Sequence, residues 1–346
     1  MAPCCLGTWD RSAIVGLSPP PPAAMRSFLI YASSLGALTL TVVPPVQAQA
    51  CGRGALALEA GKVRSLPPNF GIQGTIVGPD GRVALWSSGG ELLLDGVGDS
   101  IESTQFSEQM AIAGLAFGPT PGSWRVADAW TGRELVFDRD GVRRGERALA
   151  LTRGQLLEQG IWREEGWLLA SRDAVTRRFV VVRETARGAV PLFQSEIADS
   201  VAGISRFRMT ALPAHVLLTE VRSPFRVIRV AFATGQTDTL VTPPLPIPSD
   251  SLHLWRALPA LAIDCGTLLS VASLAGDQRL LVRWDAADQL AKVTPLAAPF
   301  GLVARLPGER ALLAARRAGG LELVTYRWRW SPDSLPFLSP DTRSSR

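Results

Sequence analysis

Residues 124–141 read WRVADAWTGRELVFDRDG. In WRVAD, Trp124 and Val126 alternate with Arg125 and Ala127, and in RELVFD, Leu135 and Phe137 alternate with Glu134 and Val136. Period-two spacing of β-branched and aromatic residues predicts strands. The break AWTGR suits a loop between antiparallel neighbours, and the closing Asp-Gly tolerates the positive φ angles of a tight hairpin turn. The stretch is therefore strand, turn, strand, turn, and it calls for a further strand on each side.

The pattern recurs. Aligned on the strand after the break, the copies are GELLLD from Gly90, RELVFD from Arg133 and RFVVVR from Arg178, then RVIRVA from Arg226, RLLVRW from Arg279 and LELVTY from Leu321. Their starts are roughly 40–50 residues apart, the length of four short strands with their turns, which is one propeller blade. Turn sequences precede them in step: PDGR at 79–82, TPGS at 120–123, EEGW at 164–167, LPAH at 212–215, DCGT at 264–267 and LPGE at 306–309. No helical period interrupts the series. The expected fold is all-β, a six-bladed β-propeller of four-stranded antiparallel blades.

The last unit lacks a strand. After LELVTYRWRW the chain ends in SPDSLPFLSPDTRSSR, rich in Pro and Ser, which suits no fourth strand. Residues 55–66, ALALEAGKVRSL, precede the first unit without belonging to it. The expectation is that this N-terminal segment supplies the missing outer strand, closing the ring and removing an exposed edge. Tyr326, Trp328 and Trp330 alternate along one strand and are expected to pack against unit one.

Over 114–145, GLAFGPTPGSWRVADAWTGRELVFDRDGVRRG, the chain resembles an NHL-type propeller repeat: apolar strand, turn, VAD, polar break, RELVFD, Gly. The other units share the rhythm. Unit one has ALW at 84–86 in place of VAD, and unit six has Leu321 in place of the arginine. The resemblance implies a six-bladed ring, and it implies that Asp128 and Arg133 form a structural ion pair across the break. Some propellers of this kind are metal-dependent lyases with histidines from several blades, and the resemblance carries that alternative. A propeller as such hosts binding, scaffolding and catalysis alike.

The N-terminus supplies an address. From Met25 the chain reads MRSFLIYASSLGALTLTVVPPVQAQACG. Arg26 gives a positive start, 28–43 is an uncharged apolar run, and Ala48-Gln49-Ala50 offers the small residues that signal peptidase requires. The run is shorter than the roughly 20 residues of a membrane span. Residues 1–50 are thus expected to be a leader with a secretory signal peptide starting at Met25, 51–335 the propeller and 336–346 a flexible tail. Export points to the periplasm or the extracellular space of a bacterium. Cys51 directly follows the small-residue site, so lipidation there would make the chain an anchored lipoprotein. Ala48 stands where a lipobox has a Leu-like residue. Otherwise Cys51 is free or pairs with Cys265, the other cysteine after the leader.

Composition excludes more than it selects. The chain is 47% hydrophobic and 19% charged, in keeping with a globular protein. Its net charge of +5 comes from arginine, with Lys62 and Lys292 as the lysines. The arginines are scattered, whereas a nucleic-acid footprint gathers them in a stripe, so no nucleic-acid partner is expected. There is no G-x-S-x-G, no phosphate loop, no G-x-G-x-x-G and no C-x-x-C. DRDG at 138–141 lacks the later ligands of a calcium loop and reads as a hairpin turn. His215 and His253 are the only histidines and lie far apart in sequence. No metal and no cofactor is expected, and no catalytic residue is assigned.

The remaining candidate is a surface. In a propeller, the loops leading into each innermost strand and those between second and third strands share one rim, around the mouth of the central channel. That rim would carry Trp86, Trp130, Arg172, Asp173, Arg222, His253, Trp255 and Arg256, overhung by the proline-rich connection 241–254. Trp and Arg dominate binding hot spots because they combine large buried area with directional donors. The expected function is therefore a monomeric, non-catalytic module binding an unidentified protein, peptide or carbohydrate. The alternatives are a propeller lyase or hydrolase with its site at the channel mouth, and an envelope scaffold held at the membrane through Cys51.

Overall fold

The two strands expected within 124–141 are Trp124–Asp128 and Arg133–Phe137. They pair antiparallel, with Trp124 opposite Phe137 and Asp128 opposite Arg133. Trp124, Val126, Leu135 and Phe137 are all buried, as the alternation requires. The Asp-Gly turn also forms. Asp138 accepts the amides of Asp140 and Val142 on one carboxylate oxygen. Gly141 has φ 75°, and a Cβ there would stand 2.6 Å from the carbonyl oxygen of Gln105, so the turn demands glycine twice over.

The computed structural model describes residues 55–67, 70–78, 82–87, 90–95, 101–163, 166–196, 206–263, 266–274, 278–285, 291–296, 300–306, 311–317 and 321–331. The leader, Cys51, Cys265 and the C-terminal tail lie outside the described residues. The described part is all-β apart from a 3₁₀ turn at Ser249–Leu254.

Six antiparallel sheets succeed one another along the chain. Sheet one runs Ile72–Val77, Val83–Ser87, Glu91–Asp95, Ile101–Gln105, and sheet two runs Ile112–Phe117, Trp124–Asp128, Arg133–Phe137, Arg143–Ala148. Sheet three is Gln155–Arg163, Gly166–Asp173, Phe179–Thr185, Gly188–Gln194, and sheet four is Phe207–Ala211, His215–Glu220, Val227–Ala231, Thr237–Leu240. Sheet six takes Phe300–Leu306, Ala311–Arg317 and Leu321–Ser331 from the chain's end and Ala55–Ser65 from its beginning. These five are four-stranded blades of a β-propeller. The first-to-last pairing is long, from Ala55 opposite Ser331 to Ser65 opposite Glu322.

Sheet five departs from the expected four-stranded form. Its inner edge is two short strands, Trp255–Ala257 and Leu261–Ile263, both paired to Gly266–Ser273, followed by Arg279–Asp285 and Ala291–Leu296. Pro259, which has no N–H to give the ladder, stands in the gap. The amides around it find other acceptors: Leu258 donates to the Ser270 carbonyl, and Ala260 to the Thr219 hydroxyl of sheet four.

The apolar core falls into six clusters, each between neighbouring sheets. Leu115 and Phe137 of sheet two meet Ala84 and Leu92 of sheet one. Leu323 and Ala304 of sheet six meet Val83, Leu85 and Leu93 of sheet one, so the last sheet packs on the first. Tyr326 and Trp328 are buried, but against Leu261, Ile263 and Leu268 of sheet five and not against unit one. Alternation fixes which residues share a face; which neighbour that face meets depends on the direction of the ring.

Candidate functional site at the channel mouth

Backbone hydrogen bonds tie the two kinds of rim loop together, sheet by sheet. The residue after the second strand donates to the segment leading into the first: Ala129 to Ala111, Ala174 to Gly154, Val221 to Arg206 and Leu274 to Leu254, in sheets two to five. The rim is thus a series of tied loops. A further bond crosses between sheets, from the Ala257 amide to the Val221 carbonyl, and brings the lead-in of sheet five against the turn of sheet four.

The eight sequence-predicted residues do lie at this end, but they divide by environment. Trp86 and Trp255 are core residues, 7% and 6% exposed, and this corrects their assignment as ligand-binding. The Trp86 ring covers Gly74, where an added Cβ would stand 2.0 Å from the ring. Trp255 packs with Phe225, Val227 and Val271 between sheets four and five. An indole at a strand end buries its ring wherever a facing glycine or an inter-sheet gap offers apolar surface. Asp173 is engaged in its own turn. One of its carboxylate oxygens caps the turn by accepting the amides of Val175 and Thr176, and the hydrogen bonds from Thr176 hold its pKa below the ordinary value. The connection 241–254 does not overhang the rim freely, because Leu245, Ile247 and Leu252 pack on the core between sheets four and five.

Trp130, Arg172, Arg222, His253 and Arg256 remain. Trp130 is 70% exposed, although its own amide is pinned by Asp128. Arg172 pairs with Glu158 at 3.1 Å. Arg222 begins a turn in which Phe225 takes the left-handed φ of 57°, uncommon for an aromatic residue. Burial of the Phe225 ring between sheets four and five holds that conformation and so fixes Arg222. Arg256 donates to the carbonyls of His253 and Trp255. Partial burial, and then the like charge of Arg222, lower its pKa. His253 is exposed within the 3₁₀ turn, while His215 starts a second strand at the opposite end of the propeller.

Two residues that the sequence reading passed over complete the mouth: Glu158 and Arg208. In four sheets the innermost strand carries one extra residue near its start, a β-bulge: Gln73, Ala113, Glu158 and Val303. Bulges re-aim a side chain and are common beside functional sites. Among the four bulged positions, only the one in sheet three is charged. Glu158 is 11% exposed, and one of its carboxylate oxygens is buried without a hydrogen-bond partner. Arg208 lies between Phe207 and Met209, whose side chains are buried against sheet three. The Gln159 side chain accepts the Met209 amide at 2.8 Å, locking the strand of Glu158 to the strand of Arg208. Burial lowers the Arg208 pKa, and Glu158 opposes that only in part. An arginine at the centre of an innermost strand's alternation was the signal that could have revealed it.

One expected structural pair does not form. Asp128 and Arg133 stand opposite in register. The Asp128 carboxylate is instead taken by the amides of Ala111, Trp130 and Thr131 and by the Thr131 hydroxyl. Arg133 pairs with Glu146. A 2%-exposed carboxylate at a loop finds backbone amides nearer than a long side chain that prefers solvent.

No protein-family model matches the chain, and neither does any curated protein. Solved structures do. A member of the DUF4221 family from Bacteroides vulgatus aligns with a TM-score of 0.59 at 8% identity, over 81% of this chain and all of that one. A candidate exported protein of Bacteroides fragilis aligns with a TM-score of 0.53 at 10% identity, over 80% of this chain and 95% of that one. A streptogramin B lyase structure aligns at 0.46 and 11% identity, over 79% of this chain and 98% of that one. At these identities the likeness is one of fold, the β-propeller.

Proposed function

We propose that the chain is an exported, six-bladed, NHL-like propeller that works as a non-catalytic binding module, with a protein or peptide seated on the rim of sheets two to five. Six blades follow from counting sheet five, with its interrupted inner edge, as a blade. Six inter-sheet cores, including the one joining sheets six and one, support that count. Export rests on the leader sequence from Met25.

The observation that carries the binding reading is where the exposed apolar side chains stand. Nine large hydrophobic residues are exposed among the described residues, and Trp130, Leu156, Val175, Leu254 and Leu274 all belong to this one rim. Val175 is 89% exposed and Leu274 59%, both on turns between second and third strands. Isolated exposed apolar residues need no explanation, but several gathered on one face mark an interaction surface. Selection of displayed random peptides on the purified protein tests this. The selected peptides should bind Trp130→Ala and Leu254→Asp at least about tenfold more weakly, with thermal stability unchanged. Unaltered binding to both variants would place the partner elsewhere.

A further inference from the structure

The rim's apolar residues surround a mouth that carries charge of one sign in excess. Arg172 and Arg208 come from sheet three and sheet four, and Arg222 and Arg256 from the tied loops of sheets four and five. Of the carboxylates at this end, Asp173 caps its own turn, Glu220 is taken by Arg206 and Arg226, and Glu158 is the one paired with Arg172. The bond from Met209 to Gln159 sets Glu158 and Arg208 on adjoining strands, and the bond from Ala257 to Val221 sets Arg256 beside Arg222. Glu158 has an Arg172 nitrogen at 3.1 Å on one oxygen, while its other oxygen is buried and unpartnered. Arg208 has Glu158 as its one compensating charge among the described residues. Buried charge is ordinarily paired and hydrogen-bonded, because an unpaired group bears its desolvation cost uncompensated. A guanidinium offers five donors in a planar fork that matches a carboxylate in two parallel bonds.

We propose that the channel mouth receives a carboxylate, from an Asp or Glu side chain of the peptide whose apolar side chains lie on the rim, with Arg208 as the principal donor and Arg172, Arg222 and Arg256 around it. This rests on the rim being the binding face, and it names the chemistry of the partner: an acidic residue flanked by apolar ones. Peptide is favoured over a free carboxylate by the apolar residues on both sides of the mouth, Leu156 and Val175 on sheet three and Leu254 and Leu274 on sheet five, which a small anion would leave uncovered. Glu158 holds Arg172 in place and offsets part of the positive charge at the mouth.

The test uses two fluorescent pools of heptapeptides, apolar at the flanking positions, with the central residue fixed as Glu in one and Gln in the other. Anisotropy titration of the purified protein should show the Glu pool bound at least about tenfold more tightly, a preference that shrinks as salt rises. In Arg208→Gln the preference should vanish while the Gln pool binds as before. Arg208→Lys should restore part of it, since the charge returns without the fork. Should Arg208→Gln fail to fold, the double change Arg222→Gln and Arg256→Gln on the outer lip should reduce the same preference. Equal binding of the two pools, or a preference that survives these changes, overturns the carboxylate site. It leaves the rim reading intact if Trp130→Ala weakens both pools. Displacement of the Glu pool by succinate at matching concentration would overturn the peptide as occupant. Failure of both pools to bind overturns both readings.

Discussion

Two charged regions of this propeller sit one sheet apart and are built on opposite principles. At the junction of sheets two and three, Glu134 is 1% exposed and receives Arg125, Arg147 at 2.5 Å and the Trp167 indole N–H. Glu184 beside it receives Arg147 and the amides of Ala150 and Trp167. Arg125 also lies over the Trp162 ring, 4.3 Å from its centre. Each buried oxygen there has a partner. At the mouth between sheets three and four, Glu158 keeps an unpartnered oxygen, and among the described residues Arg208 has Glu158 as its compensating charge. A closed network specifies how two blades lie together, whereas an open one keeps its hydrogen-bonding capacity for something outside the chain.

Changes at the junction should therefore cost stability, and changes at the mouth should cost binding. The largest effect is expected for Glu134→Ala, which leaves the Arg125 guanidinium and the Trp167 indole without their acceptor and takes from Arg147 one of its two carboxylates. Urea denaturation should show a loss of about 3–5 kcal/mol. A loss below about 1 kcal/mol would mean that the junction is solvated and the contrast is false. Trp255→Ala should lose about 3–5 kcal/mol as well, since it empties the core between sheets four and five and does not act on the rim.

Gly114 sharpens the contrast from the side of packing. A Cβ there would stand 2.1 Å from the Gly160 carbonyl oxygen, where the innermost strands of sheets two and three nearly touch. Gly114→Ala should cost about 1–3 kcal/mol through forced backbone movement. Unchanged stability would show that the strands separate easily.

Acid should act on the junction through Glu184. Burial pushes Glu184 up, but the Arg147 hydrogen bond and two backbone amides outweigh it, so its pKa is lowered. A carboxylate with a lowered folded pKa adds stability above its unfolded value, about 4.3 for Glu, and loses it as pH falls through the folded value. Stability should fall over that acidic window, and Glu184→Gln should flatten the fall. An identical pH profile in the variant would remove Glu184 from the account. The smallest stability effect belongs to Trp130→Ala, within about 0.5 kcal/mol, because the ring already stands in water.

Reading the sequence located the strands far better than the site. The six aligned segments, from GELLLD to LELVTY, all became third strands of their sheets, and Ala55–Ser65 took the outer place beside Leu321–Ser331. Period-two alternation and turn chemistry are local, and so they survive in a bare sequence. The site was only partly legible. Topology placed Trp86, Trp130 and Trp255 at one end, but topology assigns an end and not an exposure, and two of the three rings turned into the core. Glu158 was overlooked because a bulge is invisible without the partner strand that reveals the extra residue, and Arg208 because its burial depends on the neighbouring sheet.

The sequence by itself determined the four strands of five of the units, the repeat and the missing strand that the N-terminal segment replaces, because each follows from spacing along one chain. Tertiary structure alone decided which charges are satisfied. Glu134, Glu158 and Glu184 are alike as letters, each within a strand. They differ in what the next sheet brings to them: guanidiniums, an indole and amides for Glu134 and Glu184, and a half-compensated arginine for Glu158. Electrostatic satisfaction depends on distances between residues remote in sequence, and those distances exist only once the sheets have packed.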